Sequence, residues 1–280
     1  MLIHRNKIHM FSIATLNRFG FKTRAVLNNK SNEDCFINCY IRSSVGELLK
    51  KIDNVGMVLK NSAHPIDCEK LQDRNDDEFV FNFGIVPVSY NQNQEFIETN
   101  KTEMFKLMTP QDHMVEYHNE HQSFGVLHQN PPFNNKNISS SNSLILQAPK
   151  IFIGGKMNTI VLFHNNSSDI EYSNMAEMKC RLLNEDGRAV LKWKEVVAPN
   201  GVAYLDIKNI LKGRNVEIDL KEKRFFNFQA VSKNATLIPL TIIENDGQFT
   251  MEHSMPPLNY DNTMLGQRKT NATNWLWENW

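Results

Sequence analysis

The chain has 280 residues, 31 Lys plus Arg against 31 Asp plus Glu, 41% hydrophobic and 22% charged residues. That balance excludes a global field that would draw the protein to nucleic acid or acidic membranes, and the apolar content excludes wholesale disorder. The length allows two domains that each bury a core of their own, and no run approaches the roughly 20 apolar residues of a membrane helix.

Residues 1–32 carry Arg5, Lys7, Arg18, Lys22, Arg24 and Lys30, with no acid before Glu33, a composition similar to a transit peptide. The segment Phe21 to Asn29, however, lines up with Met157 to Asn166 in the second half, which predicts a first strand of the fold instead. With no continuous apolar signal core, a cytoplasmic location is expected.

The same correspondence recurs in order along both halves. Cys35 to Gly46 matches Ala176 to Gly187, and both read as a strand followed by a turn. In the second copy Met178, Cys180 and Leu182 alternate with Glu177, Lys179 and Arg181, the period of a half-buried strand. Asp186-Gly187 supplies a tight turn, and Leu191 and Trp193 alternate with Lys192 and Lys194 on the way back. Lys60 to Asp67 then matches Pro199 to Asp206. Phe81-Asn82-Phe83 matches Phe226-Asn227-Phe228, and Phe124 to Pro132 matches Phe249 to Pro257. Short strands with turn-rich connections predict a mainly β protein: a tandem duplication of an antiparallel β-sandwich, immunoglobulin-like or jelly-roll-like, with few short helices.

The expected organisation is a first repeat over 10–133 with an insertion around 91–121, an Asn/Ser-rich linker over 134–146, a second repeat over 147–260 and a Trp-rich tail over 261–280. The insertion follows from chain length, since Phe83 to Phe124 is longer than Phe228 to Phe249. Cys39 and Cys180 take equivalent inward positions, and Cys35 lies about 13 Å from Cys39 along one strand, too far for a disulfide. Buried thiols in a reducing compartment are expected.

Three groups of residues are candidates for function. The insertion holds His113, His118, Glu120 and His121, N and O donors that a divalent metal would require to converge from three or four sides. Thr109-Pro110-Gln111-Asp112 reads as a helix start there. His128 and His253, each before a Pro-Pro pair, would with Glu252 form a ligand site if the two copies brought them together. Trp275, Trp277 and Trp280 form an aromatic tail suited to a partner or a sugar. No catalytic signature is present: no His-Glu-x-x-His, Gly-x-Ser-x-Gly, Walker A or Gly-x-Gly-x-x-Gly. The expected function is therefore a non-catalytic binding or structural module for a carbohydrate or protein partner, without nucleic acid, membrane span or cofactor. The alternative is a metal-binding protein or metal-dependent enzyme using the insertion histidines.

Overall fold

A computed structural model describes residues 2–4, 10–30, 32–72, 78–88, 96–98, 112–129, 144–145, 149–166, 172–235, 237–253, 271 and 274–280. The chain is mainly β, a tandem duplication of an antiparallel β-sandwich, and it divides into two compact units. The first comprises Met1–Asn135 with Asn166–Tyr172, and the second Lys136–Asn165 with Ser173–Trp280.

In the first unit β1 (Leu2–His4) pairs with β8 (Phe96–Glu98). The sandwich itself uses β2 (Met10–Ala14), β3 (Lys22–Asn29), β4 (Cys35–Ser43), β5 (Leu48–Val58), β6 (Ser62–Asp67), β7 (Phe79–Pro87), β9 (Asp112–His118) and β10 (Ser123–Gln129). One sheet has the order β2-β7-β4-β5 and the other β10-β9-β3-β6. All pairs are antiparallel.

The second unit repeats this plan. It consists of β11 (Leu144–Ile145), β12 (Lys150–Ile153), β13 (Met157–His164), β14 (Ala176–Leu183), β15 (Ala189–Val197), β16 (Val202–Asp206), α1 (Ile207–Gly213), β17 (Arg224–Lys233), β18 (Ile238–Asn245) and β19 (Gln248–His253). Its sheets run β11-β17-β14-β15, with β12 also on β17, and β16-β13-β18-β19. Strand for strand, β2, β3, β4, β5, β6, β7, β9 and β10 correspond to β12, β13, β14, β15, β16, β17, β18 and β19.

The turns repeat as well, for a local reason. Gly46 and Gly187 both have positive φ, 85° and 75°. Their N–H groups donate to the carbonyls of Ser43 and Asn184 at 2.9 Å each. Asn61 and Asn200 enter β6 and β16 with φ of 52° and 58°, a left-handed conformation that Asn tolerates better than most residues. Asp67 and Asp206 then close those strands and begin a helical turn, Cys68–Leu71 in the first unit and α1 in the second.

Alternation builds the cores. On β14 Ala176, Met178, Cys180 and Leu182 are buried while Glu177 is exposed, as the period-two pattern requires. In the second core Phe228 meets Phe163 and Trp193, each at 5.8 Å between ring centroids. In the first, Phe81 stacks on Phe83 at 6.0 Å, and the Tyr117 hydroxyl of β9 donates to the Ala14 carbonyl of β2 at 2.7 Å, tying one sheet to the other. Cys35, Cys39, Cys68 and Cys180 are all buried and none forms a disulfide, and burial pushes the Cys39 thiol up to about 12.

The helix expected to start at Thr109 is replaced by β9 from Asp112 onward, because pairing with β3 and β10 satisfies the backbone along that stretch. Residues 109–111 lie outside the described residues, as do 91–95 and 99–108 of the insertion, the linker at 134–146 apart from β11, and 261–270 and 272–273 of the tail.

Candidate functional site

The four candidate metal ligands are distributed by strand geometry. His113 lies on the inner side of β9 with Val115 and Tyr117, buried, its Nδ1 accepting from the Asn28 N–H at 3.2 Å and its ring 4.7 Å from that of Phe11. His118 ends β9 at a position of opposite parity. Glu120 and His121 belong to the exposed turn between β9 and β10, where the His121 N–H donates to Asn119 Oδ1 at 2.9 Å. Among the described residues no group of three or more His, Cys, Asp and Glu side chains is placed to hold a metal ion. An imidazole turned into the sandwich core cannot meet donors carried on the far face or at the turn.

His128 stands opposite His113 in the β10–β9 ladder, and His253 stands opposite Leu240 at the end of β19. Glu252 is exposed and opposite Thr241. These positions are equivalent in the two repeats, each on the second strand of a terminal hairpin.

The tail is where side chains converge. Residues 274–278 are helical, and the segment meets the outer faces of β14 and β17. The ring of Trp277 has Lys179 Nζ 4.6 Å from its centroid and Lys233 Nζ at 5.8 Å. The Lys179 ammonium also donates to the Trp277 carbonyl. Trp280 receives the Arg181 guanidinium at 4.4 Å, and Arg181 Nε donates to Gln229 Oε1 at 2.8 Å. Cation–π contacts of this kind contribute about 0.5–1 kcal/mol each at exposed positions. Trp275 stays outward, 61% exposed.

The cations beneath the tail, Lys179, Arg181 and Lys233, are candidate site residues that no motif in the sequence marks. Their outward direction is legible from the alternation of Lys179 and Arg181 with Met178 and Cys180, but nothing local says that a distant aromatic segment settles on them. Of the three tail tryptophans, two are therefore anchors and the third is presented to solvent.

No protein family matches the chain, and no curated protein is detectably similar. Among solved structures it is similar to a glycosyl hydrolase family 2 member from Bacteroides cellulosilyticus (TM-score 0.21, 10% identity, 87% of this chain and 25% of that one). It is also similar to a putative beta-galactosidase from Bacteroides fragilis (0.19, 8%, 87% and 31%). A third similarity is to the VP2 subviral particle of infectious bursal disease virus (0.21, 9%, 81% and 58%). The chain thus spans about a quarter of the first of these structures, and likenesses this slight leave the functional reading to the residues themselves. Among the described residues no helix is long and apolar enough to cross a membrane.

Proposed function

We propose that the protein is a non-catalytic binding module of two β-sandwiches that recognises a carbohydrate through its C-terminal tail. The observation that carries this reading is Trp275, left 61% exposed while its neighbours Trp277 and Trp280 are fixed on Lys179, Lys233 and Arg181. An exposed indole held on a rigid base offers a flat apolar face at low entropic cost. The outer face of the sheet on which the tail is anchored carries Glu177, Lys192, Lys194 and Gln229. That is a surface of hydrogen-bonding groups suited to hydroxyls, whereas a protein hot spot is centred on a desolvated apolar pocket.

The test is an oligosaccharide array of neutral and acidic glycans probed with the full chain and with Trp275→Ala. The expected result is a defined set of glycans retained by the parent and lost by the variant. An array with no retained glycan, or the same set retained by both proteins, overturns the proposal and leaves a protein partner as the reading to pursue.

A further inference from the structure

Building on the reading of the tail as the ligand contact, we infer that the ligand is an acidic carbohydrate, carrying sulfate or carboxylate groups, and that Lys192 and Lys194 of β15 hold those groups beside the docked tail. The register places Lys179 opposite Lys194, Arg181 opposite Lys192 and Glu177 opposite Lys233. Because Met178, Cys180, Leu182 and Trp193 enter the core, the alternation sends all five cations to the same outer face. One carboxylate, Glu177, shares these paired positions with them. Like charges set directly opposite one another destabilise a sheet, so a fold that keeps two such pairs side by side holds a site charged for an anion.

Among the described residues the tail adds one side-chain carboxylate, the exposed Glu278, which forms no ion pair with these cations, and its rings do not discharge the face. Trp277 and Trp280 meet Lys179, Lys233 and Arg181 with the faces of their rings, which attract cations through a quadrupole and carry no net charge. Among the described residues none of the five cations has a carboxylate partner. Lys192 and Lys194 remain exposed and stand about 7 Å apart along β15, each beside a cation already engaged by the tail.

The size of the patch selects the class of polyanion. It spans three strands, and the chain as a whole is neutral, with 31 cations and 31 acids. A long phosphate backbone extends beyond the patch onto a chain with no net positive charge, whereas a short acidic saccharide is complemented within the patch, with a ring available for stacking on Trp275.

The experiment uses the full chain in calorimetric titrations with a heparin hexasaccharide, a neutral malto-hexasaccharide and a single-stranded oligonucleotide. The heparin hexasaccharide is expected to bind more tightly than either control, and to weaken about tenfold or more between roughly 50 and 300 mM salt. Lys192→Glu with Lys194→Glu, both exposed and so tolerated by the fold, is expected to weaken it at least about tenfold, with circular dichroism unchanged. Equal affinity of that double variant and the parent overturns the inference, as does tighter binding of the oligonucleotide. Loss of heparin binding in the lysine variant but not in Trp275→Ala supports the cationic face and counts against the tail as the contact; loss in both supports the two together.

Discussion

Asn29 and Asn165 make the same lock, each in its own sandwich. Asn29, at the end of β3, donates from Nδ2 to the carbonyl of Val58, the last residue of β5, at 3.2 Å, and to that of Glu33, two residues before β4, at 2.8 Å. Asn165, directly after β13, donates to Val197, the last residue of β15, and to Asn174, two residues before β14, both at 2.9 Å. Each amide stitches the end of one sheet to the strand ends of the other, and each is buried.

Removal of either amide leaves carbonyls without their donor in a dry place, which costs about 1–3 kcal/mol per site. Asn165→Ala and Asn29→Ala are each expected to lower the urea midpoint by an amount equivalent to about 2 kcal/mol. Asn165→Asp is expected to cost more, because it sets a carboxylate against two carbonyl oxygens. Chemical denaturation followed by far-ultraviolet circular dichroism, which reports both sandwiches, measures both, and an unchanged midpoint contradicts the lock.

Tyr117 is a second tie, present in the first sandwich. Its hydroxyl is buried and donates to the Ala14 carbonyl, and burial pushes the phenol well above the ordinary tyrosine range. Tyr117→Phe is expected to destabilise by about 1 kcal/mol at neutral pH. The sign at high pH follows from linkage. The unfolded phenol ionises near 10 while the folded one does not, so the stability held below that pH is lost as pH rises above it. The variant is expected to show a shallower alkaline unfolding than the parent, measured by melts across pH 8 to 11.

The repeat was legible because its signals are local. Alternation at Met178, Cys180 and Leu182, the glycines at 46 and 187, and the pairs Phe81/Phe83 and Phe226/Phe228 each state what their own few residues must do. The stretch from Thr109 was misleading for the converse reason. Its proline and acid satisfy a helix start, but His113, Val115 and Tyr117 alternate with Met114, Glu116 and His118, and pairing with the following strand β10 and with β3, distant in sequence, decides between the two. The tail was legible as an aromatic element and not as a docked one. Its seat exists only after β14, β15 and β17 have brought Lys179, Arg181 and Lys233 to one face, a consequence of register that no single window of sequence contains.

Asp67 sets an acid-side dependence. Its carboxylate accepts from Lys70 Nζ at 2.8 Å and from Arg24 Nε at 2.7 Å, and those hydrogen bonds, Lys70 first, hold it down at about 2 from an ordinary 3.8. A depressed carboxylate contributes stability that is present above the ordinary value and is lost as pH falls through the folded one. Between pH 4 and 2 the parent is therefore expected to lose about 1 kcal/mol through this group, discounted for its partial exposure. Asp67→Asn is expected to be less stable than the parent at pH 7 and to show a flatter curve over that window. Parallel acid-dependence curves for the two proteins contradict the assignment.

Two glycines separate backbone strain from steric exclusion. Gly187 has φ of 75° with nothing within 4 Å of where a Cβ would sit, so Gly187→Ala carries the cost of the left-handed conformation, about 1 kcal/mol. Gly154 has φ of 99°, and a Cβ there would stand 1.9 Å from the Glu222 carbonyl oxygen and 3.3 Å from that of Leu220. Those atoms are backbone and cannot swing aside as a side chain end does. Gly155 N–H, the next residue, donates to Leu220 at 2.8 Å, which pins the two segments together at the start of the second sandwich. Gly154→Ala is therefore expected to cost several times more than Gly187→Ala, about 3 kcal/mol or loss of folding altogether. Paired thermal melts decide the matter, and equal shifts for the two variants would show that the chain near Glu222 yields freely to the added carbon.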